Sequence, residues 1–511
     1  MKNDVLQPQL LKNGGTIDLT QLASLGYEDF SGCLLAEVKA GGRVAAFFGV
    51  PGAGENDGLE LFAVVARDRH ANLAVYRTEV GTSFPSLVAS CPQLHLFERE
   101  IAEQYGVKPT GHPWLKPVRF HRVWQGQTDV WGRPLDQHPR PGDMEFYRVE
   151  GEGVHEVAVG PVHAGIIEPG HFRFQCYGEK VMHLEISLGY QHRGIEQMQF
   201  QGPHPFTMAQ METIAGDTTI GHGLAHCQVI EALSGCEVPE RAQAIRALAL
   251  ELERLANHVG DIGALAGDIG FLPTASFCGR LRGDYLNLSA ALCGSRFGRG
   301  LVRPGGVHFD LDATLVREVL TRIDEIEGNT LGALDLFFDM PSVLARLEGT
   351  GRVSRSTAED LGLVGVAAKA CGVARDSRFF HPTGVYSHLF DELITEETGD
   401  VMARARVRYR EVVVSIDLLR RIGANLPAGI IKVPVGPLQA NSLAVSLVEG
   451  WRGEVVHVGI TDAHGRLRRY KIIDPSFHNW NGLAMALRDE QISDFPLCNK
   501  SFNLSYCGFD L

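Results

Sequence analysis

The chain has 511 residues, 44% of them hydrophobic, a mean hydropathy of -0.03 and a formal net charge of -13. That length implies two or more domains, and the hydropathy is that of a globular chain. The acidic balance counts against nucleic acid as a partner, because phosphate binding needs clustered Lys and Arg.

In chain order, residues 33–38, 43–48 and 59–65 are short apolar runs that predict strands. Turns are expected at Gly41-Gly42 and at Pro51-Gly52-Ala53-Gly54, and a helix over 94–105. Residues 1–125 therefore form a predicted α+β domain. A linker is expected over 126–150, whose first part is rich in Gly and Pro. Residues 151–511 form the second predicted domain. Strands are expected at 154–159 and within 172–188. Long helices are expected over 207–233, 241–266, 311–334 and 401–426, and a strand at 454–460 precedes a short helix at 483–487. The expected fold class is α+β, an N-terminal α+β domain followed by a large domain with a long-helix bundle core and flanking β-strands.

No uninterrupted apolar run reaches the ~18 residues of a membrane span. The run at 428–438 is broken by Lys432, Pro434 and Pro437. Met1-Lys2-Asn3-Asp4 opens no secretory signal. Any membrane role is therefore expected to come through partner subunits. No two of the 10 cysteines form Cys-x-x-Cys, which removes the usual zinc, iron–sulfur and thioredoxin-like spacings. No Gly-x-Gly-x-x-Gly follows a strand, so the chain is not expected to bind NAD itself. His222 and His226 stand four apart, on one face of a predicted helix. With a third ligand they could hold a divalent ion. Without an intervening Glu, the plainer alternative is a polar pocket.

Several windows resemble one family. Phe84-Pro85-Ser86-Leu87, Glu98-Arg99-Glu100-Ile101, Tyr105-Gly106-Val107 and Gly111-His112-Pro113 are similar to the 30-kDa-type peripheral subunit of NADH:quinone oxidoreductase. Gly160-Pro161-Val162-His163, the run from Gly189 to Glu196, the run from Asp217 to His226, and Arg303-Pro304-Gly305-Gly306-Val307 resemble its 49-kDa-type subunit. They equally resemble the large subunit of group 4 membrane-bound nickel–iron hydrogenases of the formate hydrogenlyase type. The likeness runs from about Ala36 to Leu511 and implies a fused 30-kDa/49-kDa-type subunit.

The resemblance also locates departures. Hydrogenases of this family read Arg-x-Cys-Gly-x-Cys-x-x-x-His where this chain has Asp217, Thr219, Ile220, His222 and His226. Near the C-terminus, Ser505 and Gly508 fall where a second Cys pair would be. The four nickel-ligand positions are thus Thr219, His222, Ser505 and Gly508, and none is a thiolate. A soft-donor site of that kind is not rebuilt from Thr and His without changing the metal. Ile220 also stands where the quinone-reducing relatives place a Tyr.

What the resemblance implies for the remaining site residues is a quinone-side role for His163 and His171. Imidazole suits protonation there because its ordinary pKa lies near neutrality. Arg193 and Glu196 match an Arg-Gly-x-Glu element in which the Glu passes protons, the alternative being a structural ion pair. His222, His226 and Ile220 would line a vestigial pocket or quinone cavity. No covalently bound or thiolate-held cofactor is expected, quinone is a candidate ligand, and iron–sulfur clusters are expected in a partner small subunit. Integral membrane subunits are the other expected partners, with the chain peripheral on the cytoplasmic side of the cell membrane.

The implied function is coupling of electron transfer from the iron–sulfur subunit to reduction of quinone or another acceptor and to ion translocation, without a nickel–iron site and not by this chain alone. The alternative is a non-catalytic scaffold of an ion-pumping complex. An active nickel–iron hydrogenase is a third reading, against which the missing thiolates count.

Overall fold

In the computed structural model, which describes residues 8–52, 58–124, 129–134, 136, 138–165 and 167–511, the N-terminal part is a mostly antiparallel sheet packed with two helices. Its order is Gln9–Leu11, Asn72–Val80, Leu59–Arg67, Arg43–Pro51, with Ser24–Leu25 added in parallel beside Asn72–Val80. Arg43–Pro51 and Leu59–Arg67 are buried almost end to end, which explains their continuous apolar sequences.

The expected strand at 33–38 is instead part of the helix Tyr27–Lys39. Phe30 and Leu34, four apart, are its buried face, while Glu28 and Asp29 in the first turn and Lys39 in the last suit the helix dipole. A six-residue window is too short to separate a period of 2 from one of 3.6. The predicted helix at 94–105 is His95–Tyr105. Ala53 and Gly54 of the expected second turn lie outside the described residues. Among the described residues of 126–150, no helix or strand forms.

Beyond that stretch, a three-stranded sheet runs Lys180–Ser187, His171–Tyr177, Val154–Val159. The long helix Glu240–Asp268 is the axis of the helical core and packs against Leu272–Cys293, Val401–Ala424 and Phe495–Phe502. Ala313–Asp339 packs on Leu272–Cys293 and Val401–Ala424. Periodicity missed Leu272–Cys293, whose pattern is interrupted by Gly279, Arg280, Arg282 and Gly283.

The expected helix at 207–233 is two helices, Thr207–Met211 and Thr219–Ser234. Thr218 leaves the helical region at φ -126°, ψ 41°. The second helix is capped from far away, by the Glu253 carboxylate accepting from Ile220 N at 2.7 Å and Gly221 N at 3.1 Å. Thr218 stands at the N-cap, but its side chain makes no cap bond there.

The C-terminal sheet runs Leu467–Ile473, Glu454–Thr461, Ser442–Glu449 and takes Thr16–Asp18 from the other end of the chain as its fourth strand. The helix Thr219–Ser234 lies across Ser442–Glu449 and Glu454–Thr461. The helix expected at 483–487 begins earlier, as Pro475–Ala486, with Asp474 as N-cap and Pro at its first position.

Buried charge pairs join the N-terminal elements to this sheet. Arg43 meets Glu454 at 2.6 Å, and Lys471 meets Glu100 at 2.7 Å. Among the described residues no helix is long and apolar enough to cross a membrane.

Candidate functional site

Where the helix Thr219–Ser234 crosses the C-terminal sheet, five buried polar side chains form one line. The His222 Nε2 lies 3.0 Å from Asp474 Oδ2, and its Nδ1 lies 3.1 Å from His457 Nε2. His457 Nδ1 is 2.9 Å from the Tyr470 hydroxyl, which is 2.8 Å from His226 Nδ1. All five are essentially shielded from solvent. The one-turn spacing of His222 and His226 puts both rings over the strands that carry His457 and Tyr470.

Burial works against the Asp474 charge, but the His222 imidazole and Arg452 outweigh it and hold the carboxyl below its usual range. Burial pushes His226 down to about 3, and burial with the neighbouring imidazoles holds His457 well below its ordinary value. With Asp474 ionised, His226 and His457 neutral and one N–H on His222, donor assignment has one solution. His226 Nδ1–H donates to Tyr470 Oη, Tyr470 O–H to His457 Nδ1, His457 Nε2–H to His222 Nδ1, and His222 Nε2–H to Asp474. A proton added to His222 reverses every link beyond it: His222 donates to His457, His457 to Tyr470, and Tyr470 to His226. The line thus has two complementary hydrogen-bonded states differing by one proton.

The C-terminal window closes on the Asp474 end. Ser505 N donates to Ser476 Oγ at 2.8 Å, and Ser505 Oγ caps Gly508 N at 2.9 Å. A Cβ on Gly508 would lie 2.7 Å from Asp474 Oδ2. Arg452 holds Asp217 bidentately, at 2.6 and 2.7 Å. Three of the four positions that the resemblance aligns with nickel ligands, His222, Ser505 and Gly508, therefore converge on Asp474 and its helix N-terminus. Thr219 donates to Glu212 O at 3.2 Å, and Ile220 is buried against Gly298. Burial raises Glu253, the cap of this helix, to about 8.

The 160–171 loop reaches the same window. Glu168 accepts from Tyr506 N at 3.3 Å and Cys507 N at 3.2 Å, and Gly170 lies against the Tyr506 ring. His163 Nε2 donates to Gly170 O at 2.9 Å, beside the exposed Val162 and Ile167. His171 is buried, with Nδ1 at 3.4 Å from Gly160 O and Nε2 accepting from Arg173 at 3.1 Å.

Arg193 and Glu196 go separate ways. The exposed Arg193 guanidinium donates to Thr213 O at 2.9 Å and Ile214 O at 3.1 Å. Glu196 is buried between Arg469 and Lys471, each 2.9 Å away, and also accepts from Ile472 N. Burial opposes its charge, yet Arg469 and Lys471 hold its carboxyl well below the usual range.

The chain matches Respiratory-chain NADH dehydrogenase, 30 Kd subunit, over residues 35–137, and Respiratory-chain NADH dehydrogenase, 49 Kd subunit, over residues 268–441. It is 32% identical to the carbon monoxide-induced hydrogenase of Rhodospirillum rubrum, over 68% of this chain and 96% of that one. It is 30% identical to the fused C/D protein of the NADH-quinone oxidoreductase of Bacteroides thetaiotaomicron, over 70% of this chain and 72% of the relative. The chain belongs to the family of fused 30-kDa/49-kDa subunits of NADH-quinone oxidoreductases and group 4 membrane-bound hydrogenases. A chain of the archaeal membrane-bound sulfane sulfur reductase has the same fold, with a TM-score of 0.66 and 24% identity, over 71% of this chain and all of that one.

Within this family scaffold, sequence reasoning missed His457, Tyr470 and Asp474, the side chains to which His222 and His226 bond. Asp474-Pro475 is a readable helix start. His457 and Tyr470 sit in strands buried almost throughout, where alternation carries no signal for a polar contact.

Proposed function

We propose that this protein is the fused peripheral subunit of a membrane-bound respiratory or hydrogenase-type complex, bound on the cytoplasmic face, and that it handles protons where hydrogenases of the family hold nickel and iron. Electrons arrive from iron–sulfur clusters of a partner subunit and leave to a quinone or another acceptor beside the 160–171 loop. Ion movement follows in the membrane subunits. The observation that carries the reading is the line Asp474–His222–His457–Tyr470–His226, whose two hydrogen-bonded states differ by one proton.

The donor set does not fit a nickel–iron centre. The four positions offer a hydroxyl bound to a backbone carbonyl, an imidazole with both nitrogens engaged, a capping hydroxyl and a glycine. Soft thiolate donors are absent from all four. Quinone fits better at the loop: the His163 imidazole, beside exposed Val162 and Ile167, offers a polar contact on an apolar surface. Quinone would supply two-electron acceptor chemistry. This chain's own residues would orient it and return protons, with His171 fixed as a neutral acceptor of the Arg173 N–H.

The test is the intact complex. The His222→Gln variant should lower acceptor reduction at least tenfold, while His163→Ala should raise the KM for a quinone analogue. Stoichiometric nickel in the purified complex would overturn the reading. Unchanged turnover in both variants would favour the scaffold reading, which the complete hydrogen bonding of His222 also supports.

A further inference from the structure

A cavity of about 290 Å³ lies where three parts of the chain meet, the helix His95–Tyr105, the strand Lys180–Ser187 and the helix Pro475–Ala486. It is separate from the histidine line: His222, His226, His457 and Tyr470 do not line it. Its walls are mainly apolar, with Leu96, Leu184, Ile186 and Trp480 among them.

The charged groups in these walls are unbalanced. Glu185 is taken by Lys116 Nζ at 2.6 Å and by Tyr147 N at 2.7 Å. Arg99 donates to the carbonyls of Lys116 at 2.8 Å and Pro117 at 2.7 Å, which are neutral. Burial pulls its pKa down to about 10, more than the nearby Glu103 and Glu185 carboxylates push it back up. Arg488 is exposed at the rim, and among the described residues neither arginine forms an ion pair. Among the described residues, the buried ring nitrogens Trp480 Nε1 and His183 Nε2 also have no hydrogen-bond partner, and both residues line the cavity. A sheltered cation with no ion-pair partner among the described residues is costly, and so is an unsatisfied buried donor.

We propose that this cavity binds an amphipathic anion, its carboxylate or phosphate group held by Arg99 and Arg488 and its aromatic or short aliphatic body packed among Leu96, Leu184, Ile186 and Trp480. The size excludes a whole lipid but admits one small aromatic acid or the head-proximal part of one acyl chain. Because the three walls come from distant parts of the sequence, the ligand bridges the N-terminal elements and the C-terminal helices. It stabilises their joint by mass action.

The experiment titrates the purified complex with 2-naphthoate and decanoate, following quenching of tryptophan fluorescence, with 2-naphthol as the neutral control. Saturable binding of the acids is expected, at least tenfold tighter than 2-naphthol. The variant Arg488→Gln, at an exposed position that does not threaten folding, should weaken it at least tenfold. The variant Ala484→Phe should abolish it by filling the space. Equal affinity for 2-naphthol, unchanged affinity in Arg488→Gln, or no saturable binding of either acid overturns the proposal. Mass spectrometry of a solvent extract separates the sources: a phosphodiester head identifies a lipid tail as occupant, a free carboxylate identifies a small acid.

Discussion

Asp474 and Gly508 compete for one space: a Cβ on Gly508 would lie 2.7 Å from the Asp474 carboxylate oxygen that meets His222 at 3.0 Å. Gly508→Cys, which restores the thiol of the hydrogenase pattern, should therefore destabilise the protein by about 1–3 kcal/mol. Asp474→Ala alone also destabilises, by stripping His222 and the cap of Pro475–Ala486. In the double variant the two costs should be less than additive by at least ~1 kcal/mol, because the clash disappears with the carboxylate. Chemical denaturation of the four proteins checks this, and strict additivity would mean that the two groups do not contend.

Glu196 and Arg193, one helical turn apart in sequence, should differ widely in cost. Glu196→Gln leaves Arg469 and Lys471 short of charge in a buried site and should cost about 3–5 kcal/mol. Arg193→Ala removes two hydrogen bonds to carbonyls at an exposed edge and should cost about 1 kcal/mol. A reversed order in denaturation midpoints would show that the Glu196 cluster is not what holds the 195–198 turn to the C-terminal sheet.

The contrast explains what the sequence could tell. Windows such as the Asp217 to His226 run name the scaffold and point to His222, because those residues are local and spaced for one helix face. The partners that give His222 its chemistry lie 235 and 252 residues away and become neighbours only when the helix crosses the sheet. The same holds for Glu196, whose cations come from a strand more than 270 residues on, and for Glu253, which caps a helix 33 residues behind it. Tyr27–Lys39 failed for a different reason: a window shorter than two helical turns does not separate the two periods.

Stability should fall steeply in mild acid. Burial holds His226, His95 and His478 near 3, and His112 and His192 near 4. Each folded pKa lies below the unfolded value of 6.5, so below that pH the unfolded chain binds more protons. Each contribution is complete above pH 6.5 and is lost as pH falls towards 3 or 4, at about 1.4 kcal/mol per pH unit for each ring. Denaturation midpoints at pH 7.5 and 5.5 should show the drop. It should be smaller in the His226→Gln variant.

A second buried cluster should respond in the opposite direction. Lys369 Nζ is shared by Asp376 at 2.6 Å, Glu411 at 2.8 Å and Glu449 at 3.1 Å, all out of solvent. Burial, with Asp376 adding to it, pushes Glu449 up to about 7, so Glu449 holds the proton that relieves the crowding. Its folded pKa exceeds the unfolded one. Its contribution is therefore complete below the ordinary carboxylate range and is lost as pH rises through 7. Glu449→Gln, which fixes the neutral form, should make the protein less sensitive to a rise from pH 5.5 to 8. Lys369→Met should cost more than about 3 kcal/mol, since it removes the cation shared by Asp376, Glu411 and Glu449. Adding Glu449→Gln to Lys369→Met should recover part of that loss. Denaturation of the three variants at both pH values tests the assignment, and a Glu449→Gln protein with undiminished pH sensitivity would place the proton on another carboxylate of the cluster.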